Sequence, residues 1–249
     1  MTAERQQDSQ DDPWWGEHVH RYHEASRLIH DTDTVLDLAC GLGFGTSILS
    51  STRRASVHGC DLSAEAVVQA HRKYSGPRTH FSIANGTSLP FKSDQFEAVT
   101  SFETLEHLQN DRGFLRELRR VLKPNGMLIL STPNGGVSNP VGRPTNPFHV
   151  REYTLLELRV LLEAIFRDVS IRGQRFTRFS HGRSRGSLGL TIERTLYMRG
   201  VRKLPLFVRD LVSRHVTGKP HYPTPLDFDF IDDDRETQDC RTLFATCRK

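Results

Sequence analysis

The chain has 249 residues, of which 36% are hydrophobic and 26% charged. This is the composition of a soluble globular protein and enough chain for one α/β domain. No apolar run approaches the roughly 20 residues that span a bilayer, which excludes an integral membrane protein. The four cysteines form no C-x-x-C pair, so we expect free thiols and a cytoplasmic protein. Residues 1–13 are polar, lack the features of a secretory signal and are expected to form a disordered tail.

The net charge of +4 is unevenly spread along the sequence. Thirteen Lys or Arg residues and only three acids lie between Arg167 and Lys219. A segment this basic is either a solvated surface or a binding site for phosphates, nucleic acid or an anionic membrane surface.

Short apolar runs alternate with amphipathic segments along most of the chain. In chain order, the patterns predict a helix at 14–30, a strand at 34–39, a helix from Thr46, a strand at 56–60, a helix from Ser63, strands at 80–84 and 96–102, a helix at 112–122, a turn at 123–126, a strand at 127–131, a helix at 155–166 and strands at 168–172 and 242–247. Such alternation is typical of βαβ units and a parallel sheet.

Residues from about 176 to 239 fit this alternation less well. They contain a Gly/Ser/Arg-rich link, one or two basic helices within 190–216 and a proline-broken stretch. We predict a basic insertion before the last strand that forms a lid over a bound ligand, because loops on such scaffolds carry specificity. The arginines in and next to the insertion that would suit an anionic ligand are Arg175, Arg178, Arg183 and Arg185.

A glycine loop follows the first strand, in the sequence Asp37-Leu-Ala-Cys-Gly-Leu-Gly-Phe-Gly45. Gly41 and Gly43 let the backbone approach a ligand, and the following helix presents free N–H groups. The loop alone would also suit the pyrophosphate of a nicotinamide or flavin dinucleotide.

Further motifs follow in order: an acid at the end of the second strand, Asp61, then Leu89-Pro-Phe91, the strand from Phe96, and Leu122-Lys-Pro-Asn-Gly126. Over roughly residues 34 to 175 the chain resembles the class I S-adenosylmethionine-dependent methyltransferases. The typical motifs of that family are V-L-D-x-G-C-G-x-G, an acid at the end of strand two, G-D-A-x-x-L-P-F and L-K-P-G-G. This chain departs from those motifs at Ala39 and Asn125, where the family usually has Gly, and at Asn85, where it usually has Asp.

The resemblance implies a Rossmann-like, doubly wound sheet of about seven strands, mostly parallel with an antiparallel last strand, within one domain spanning residues 14–249. It also implies that the methionine part of S-adenosylmethionine lies against Asp37, Ala39, Gly41 and Gly43. Asp61 would hold the ribose and Leu62 would pack on the adenine. The residues implied on the adenine and sulfonium side are Asn85, Gly86 and Phe102. Aromatic side chains of the first helix, including Tyr22, would close over the cofactor or pack on the sheet.

The segment Phe102-Glu-Thr-Leu-Glu-His-Leu108 follows the fourth strand, where the family's acceptor and base residues usually lie. If it is helical, Glu103, Glu106 and His107 share one face. His107 or His149 would then act as the general base, beside Glu106, because histidine titrates near neutrality. In a less favoured alternative, Glu103, Glu106, His107 and His149 bind one divalent cation, as in the small-RNA 3′-terminal ribose 2′-O-methyltransferases. A purely structural Glu-His pair is the third interpretation.

The leading hypothesis is methylation of a hydroxyl group on a small molecule, such as a sugar or natural product, without a metal and without a nucleic acid partner. The alternatives are metal-dependent RNA ribose methylation and a non-catalytic module that binds the cofactor. A dinucleotide-binding protein is disfavoured by the Leu89-Pro-Phe91 and Lys-Pro-Asn-Gly motifs.

Overall fold

The computed structural model describes residues 12–52, 54–139, 144, 146–178 and 204–249. Eight strands in this part of the chain form one sheet, in the order β3-β2-β1-β4-β5-β8-β6-β7. Their bounds are β1 Thr34–Leu38, β2 Ser56–Asp61, β3 Thr79–Ile83, β4 Phe96–Phe102, β5 Leu122–Pro133, β6 Arg167–Phe176, β7 Phe228–Ile231 and β8 Thr242–Arg248. The prediction of a Rossmann-like α/β sheet is confirmed.

The first five strands are parallel. The chain adds β2 and β3 on one side of β1 and then crosses back to place β4 and β5 on the other side, so the strand order reverses between β1 and β4. β1 pairs with β2 on one side and with β4 on the other, where Asp37 lies opposite Thr100. In open α/β sheets, ligands bind outside the carboxyl ends of the strands at such a switch point. The loops after β1, β2, β3 and β4 are therefore placed to form one site.

The last strand is antiparallel, as predicted. β8 lies between β5 and β6 and pairs antiparallel with both. The sheet has eight strands rather than about seven, because β7 forms within the segment that was predicted to be a helical insertion. Its sequence, Phe228-Asp-Phe-Ile231, alternates over only four residues and is flanked by aspartates, so the sequence pattern favoured a loop.

The helices lie close to their predicted positions. Their bounds are α1 Trp15–Leu28, α2 Phe44–Thr52, α3 Ala64–Tyr74, α4 Asp111–Val121, α5 Gly135–Ser138, α6 Leu155–Glu163, α7 Leu206–Thr217 and α8 Asp234–Thr237, with 3-10 turns at Leu105–His107 and Pro225–Asp227. The predicted turn at 123–126 instead belongs to β5, where Asn125 takes a left-handed φ of 63°. None of the helices that the structure describes is both long and apolar enough to cross a membrane.

Helix α4 shows how the elements are fixed to the sheet. Asn110 caps its first turn by accepting the N–H of Gly113 through its side chain. The side chains that it buries recur at helical spacing and are Phe114, Leu115, Leu118 and Val121. Each such burial stabilises the fold by about 1.5–3 kcal/mol, so the packed face rather than the cap dominates.

The chain divides into two compact units. The larger unit contains Arg21–Arg175 and Phe230–Lys249, and the smaller contains Phe176–Asp229 with the described residues up to His20. The predicted tail, except for residues 12 and 13, and the Gly/Ser/Arg-rich link lie outside the described residues. All the cofactor-binding and catalytic residues predicted from the sequence belong to the larger unit.

Candidate functional site

The glycine loop after β1 is held in a left-handed backbone conformation. Ala39 has a φ of 61° and Gly41 a φ of 53°. A Cβ built on Gly41 would have no heavy atom within 4 Å among its surroundings. The Gly41 backbone is therefore open to the approach of a ligand. Ala39 holds a conformation that an alanine adopts at a cost of roughly 1–2 kcal/mol, which fits the glycine usual in the family at that place.

Asp61 fixes the loop from the neighbouring strand. Its Oδ2 accepts the backbone N–H of Gly41 at 2.9 Å, and its Oδ1 accepts the N–H of Ser63 at 2.8 Å. A carboxylate offers about four lone-pair positions, so each oxygen retains capacity for a further donor. The side chain can thus support the loop and still accept two ribose hydroxyls.

Asp37 is fully buried and its carboxylate faces protein donors. It accepts the hydroxyls of Thr46 at 2.6 Å and Thr100 at 2.7 Å, with the hydroxyl of Tyr22 at 3.3 Å. Burial raises the pKa of Asp37 to about 6, against the lowering effect of these hydrogen bonds. The Asp37 side chain therefore links β1 to α1, α2 and β4. Because its carboxylate is occupied by these contacts, any effect of Asp37 on the cofactor would come from the loop conformation that it supports.

Three other predicted cofactor residues have packing partners within the protein. A Cβ on Gly43 would approach Ala70 to 2.7 Å, and one on Gly86 would approach Phe114 to 2.7 Å. Phe102 is buried and stacks edge-on against Tyr22, with ring centroids 4.8 Å apart. Their residue types are explained by packing, and contact with the cofactor remains a prediction for each.

Exposed apolar side chains lie at the carboxyl ends of β2 and β3. Leu62 is 72% exposed and Ile83, paired in register with Asp61, is 54% exposed. Asn85 is also exposed, and its Oδ1 accepts the N–H and hydroxyl of Thr87, which leaves Nδ2 as its donor. Two exposed aliphatic side chains beside an amide suit a flat, partly polar ring such as adenine. Ile83 was missed, although its place at the end of the third strand was a usable signal.

The open approach to Gly41, the remaining capacity of Asp61 and the exposed Leu62 and Ile83 occupy adjacent parallel strands. Together they match the parts of S-adenosylmethionine in order: the methionine chain, the ribose diol and the adenine. The residues present therefore fit this cofactor.

The segment after β4 is not a continuous helix, which corrects one expectation. Glu103 has a left-handed φ of 49°, and only Leu105–His107 form a 3-10 turn. Glu103 does not share a helical face with Glu106 and His107. Its Oε1 instead accepts the hydroxyl of Ser131 at 2.7 Å and lies 3.9 Å from the buried Arg21.

Glu106 is buried and its two carboxylate oxygens have different surroundings. Oε2 accepts the hydroxyl of Thr132 at 2.9 Å, whereas Oε1 lies 3.8 Å from His107 Nε2. Burial raises the pKa of Glu106 well above its usual range, and repulsion from Glu103 adds to this. The backbone carbonyl of Glu106 accepts the N–H groups of Val150 and Arg151, which brings the loop after β5 to the turn.

The two imidazoles are oriented by their Nδ1 atoms. His107 Nδ1 lies 3.0 Å from the carbonyl of Phe148, and His149 Nδ1 lies 2.5 Å from Glu152 Oε1. A carbonyl can only accept a hydrogen bond, so His107 carries its proton on Nδ1 and a lone pair on Nε2. Glu152 Oε1 can accept the Nδ1 proton of His149 in the same way. The rings are edge to face, with centroids 4.8 Å apart.

Glu106, His107 and His149 form one cluster, hereafter the Glu-His-His cluster. Their ligand atoms all lie within 4.8 Å of one another. Sequence reasoning missed Glu152, which orients His149 and is itself buried. The His-x-x-Glu spacing of these two residues was the available signal. The hydroxyl of Ser138 donates to the other oxygen of Glu152.

The predicted anion-binding arginines are engaged within their own units. Arg175 pairs with Glu236 at 2.8 Å. Arg178 is buried and donates to the carbonyl of Pro220. Arg183 and Arg185 lie outside the described residues. A cleft of about 300 Å³ in the smaller unit is lined by Arg178, Lys219, Asp227 and Asp229 among others, so it has charges of both signs.

Comparison with known proteins finds a family match for the part of the chain that contains the glycine loop and Asp61. Residues 36–130 match the family model described as "Methyltransferase domain". A protein of Mycobacterium tuberculosis named a probable S-adenosylmethionine-dependent methyltransferase is 37% identical over 142 residues, which cover 56% of this chain and 50% of that protein. A similarly named protein of Mycolicibacterium smegmatis is 34% identical over 152 residues, covering 60% and 57%. The chain thus spans about half the length of the curated relatives it matches.

Among solved structures, the chain is similar to one described as a complex between the Haloferax volcanii Trm112 methyltransferase activator and a methyltransferase. The TM-score is 0.64 at 18% identity, and the match covers 97% of this chain and 94% of that one. At this identity the similarity bears on the fold alone. The glycine loop, the Asp61 contact and the sequence relatives together lead to one conclusion: residues 36–130 carry a methyltransferase domain similar to that of S-adenosylmethionine-dependent methyltransferases.

Proposed function

We propose that this chain transfers a methyl group from S-adenosylmethionine to a hydroxyl group of a small molecule, with the acceptor beside the Glu-His-His cluster. The observation that carries the proposal is a pair of imidazoles, His107 after β4 and His149 in the loop after β5, whose Nδ1 atoms each face an oxygen. In the neutral rings this leaves Nε2 as the basic atom. β1, which bears the cofactor loop, is the strand next to β4 in the sheet. An acceptor at the switch point would therefore meet the cofactor loop on one side and the cluster on the other.

When bound, S-adenosylmethionine supplies an electrophilic methyl group on a sulfonium and leaves as S-adenosylhomocysteine. The chain's own task is to place the acceptor oxygen in line with that methyl group and to accept its proton. In the absence of a metal ion, Nε2 of His107 or His149 takes the proton. Glu152 keeps Nδ1 of His149 protonated, so that its Nε2 remains the basic atom.

The cofactor residues proposed are Asp61 for the ribose, the Gly41 backbone for the methionine chain, and Leu62, Ile83 and Asn85 for the adenine. Asp37, Ala39, Gly43, Gly86 and Phe102 would act mainly by shaping the loop and its support. A basic lid made of residues of the smaller unit and an anionic acceptor remain predictions from the sequence.

The test is titration of the full chain with S-adenosylhomocysteine, followed by transfer from methyl-labelled cofactor to a panel of hydroxyl, amine and thiol acceptors. Micromolar binding and product formation on hydroxyl acceptors, located by mass spectrometry, would support the proposal. Binding without transfer to any acceptor would favour a non-catalytic module. Transfer only to the 3′ end of RNA would favour ribose methylation instead.

A further inference from the structure

We propose that Glu106, His107 and His149 bind one divalent cation that accepts nitrogen and oxygen ligands, such as Zn²⁺. The proposal concerns the same cluster as the proposed function. It rests on that function only for what the ion would do to the acceptor.

The donor set is the first argument. One carboxylate and two imidazoles are a common ligand set for a catalytic zinc ion, with a further position open to water or substrate. Glu106 Oε1 and His107 Nε2 are separated by 3.8 Å, which is too long for a hydrogen bond. An ion with bonds of about 2.0–2.1 Å holds its ligands roughly 3.4 Å apart in a tetrahedron, so a small shift of the partly exposed His107 ring would complete the site.

The surroundings of the ligands are the second argument, and they are independent of the first. Each imidazole has its Nδ1 proton directed at an oxygen, from Phe148 or Glu152, and each has its lone pair on Nε2. Thr132 holds Oε2 of Glu106 and leaves Oε1 toward His107. Carboxylate or carbonyl partners on the far nitrogen are the usual outer shell of metal-binding histidines. The Asn146 amide, 3.0 Å from His149 Nε2, would be displaced by the ion.

The charge balance is the third argument. Glu106 is buried, so a negative charge on its carboxylate has no contact with solvent. A bound cation would neutralise that charge where solvent does not reach it. The three protein ligands leave at least one position for an acceptor hydroxyl, whose proton an ion makes easier to remove. The Nε2 lone pairs then serve as ligands and no longer as bases, and the acceptor proton passes to bulk water.

The test is calorimetric titration of the metal-stripped full chain with Zn²⁺, for the wild type and four variants. We expect one site, weakened at least tenfold in His107→Ala and in His149→Ala, and 10–100-fold in Glu152→Gln, which alters only the outer shell. His71→Ala, which removes an exposed histidine on α3, is the matched control and should bind as the wild type does. Equal affinity in all five proteins, or no binding to the wild type, would refute the site.

A second measurement needs no variant and remains decisive if a substitution prevents folding. X-ray absorption at the zinc edge of the loaded wild type should show imidazole and oxygen ligands only. Sulfur in the first shell would place the ion at a cysteine and contradict the proposal.

Methyl transfer measured in parallel, with and without EDTA, separates the two proposals. Unchanged transfer by a chain that binds no Zn²⁺ would refute the ion site and leave the proposed function standing. Zn²⁺ binding without transfer to any acceptor would refute the proposed function and leave the ion site standing.

Discussion

Asp61 Oδ2 accepts the backbone N–H of Gly41 at 2.9 Å, which joins the end of β2 to the loop after β1. The contact sets the position of the loop before any ligand arrives. It also places one carboxylate where both the loop and a ribose can use it.

Asp61→Ala should weaken binding of S-adenosylhomocysteine more than tenfold, because hydrogen bonds to a charged group are worth about 1.5–3 kcal/mol. Calorimetric titration measures the change. Glu65→Ala, which removes an exposed carboxylate from the first turn of α3, should leave the affinity unaltered. If both variants bind equally well, the assignment of Asp61 to the ribose is wrong.

Gly41→Ala and Gly45→Ala should have different consequences. The Cβ at Gly41 meets open space, and the left-handed φ of 53° costs an alanine roughly 1–2 kcal/mol, so the variant should lose about that much stability together with its cofactor affinity. A Cβ at Gly45 would approach the Tyr22 ring to 1.9 Å, so that variant should lose stability of the order of several kcal/mol by overpacking. Thermal unfolding and titration of the same samples separate the two effects. A loss of stability in Gly41→Ala as large as in Gly45→Ala would argue against an open ligand path.

His107→Ala should lower turnover about 100-fold or more, whether His107 acts as a base or as a metal ligand. Its affinity for S-adenosylhomocysteine should not change, because the imidazole belongs to the acceptor side. The rate constant kcat and the calorimetric Kd are the two readouts, with His71→Ala as the comparison. Unaltered kcat, or a parallel fall in the melting temperature and in activity, would support a purely structural Glu-His pair.

The titration of Asp37 should appear in the pH dependence of stability. Burial raises its pKa from 3.8 to about 6 in the folded chain, so folding takes up a proton between these values. The stability contributed by this group is therefore full below pH 4, falls as the pH rises to about 6 and is constant above that. Relative to Asp37→Asn, which does not titrate, the wild type should lose on the order of 3 kcal/mol across this interval. Denaturant unfolding of both proteins from pH 4 to 7.5 measures the difference. A constant difference would mean that Asp37 titrates normally.

Much of the sheet and cofactor loop could be predicted because local sequence determines them. The apolar runs of β1 and β4, the Ser63 cap of α3 and the motif order each depend on few residues in sequence. β7 was missed because its four residues owe their conformation to the sheet beside them.

The Glu-His-His cluster shows more clearly which features could not be predicted from the sequence. Helical spacing predicted a shared face for Glu103, Glu106 and His107, but the left-handed φ of Glu103 breaks the helix before it begins. His149 was correctly expected near His107, since both follow parallel strands at one edge of the sheet. The buried Glu152 contact depends on a backbone path that the sequence alone does not specify.

Gly43, Gly45 and Gly86 are each bordered by side chains of the protein itself, from Ala70, Tyr22 and Phe114. Selection on folding alone would retain these glycines in a descendant that had ceased to bind a nucleoside. Among these glycines of the loop and its surroundings, Gly41 would be the first to be substituted once cofactor binding was lost, because no side chain of the protein packs against it. Sequence searches that weight every glycine of the loop equally would therefore count inactive relatives as active ones. The residues at positions 41 and 61 would separate relatives that bind the cofactor from those that do not more reliably.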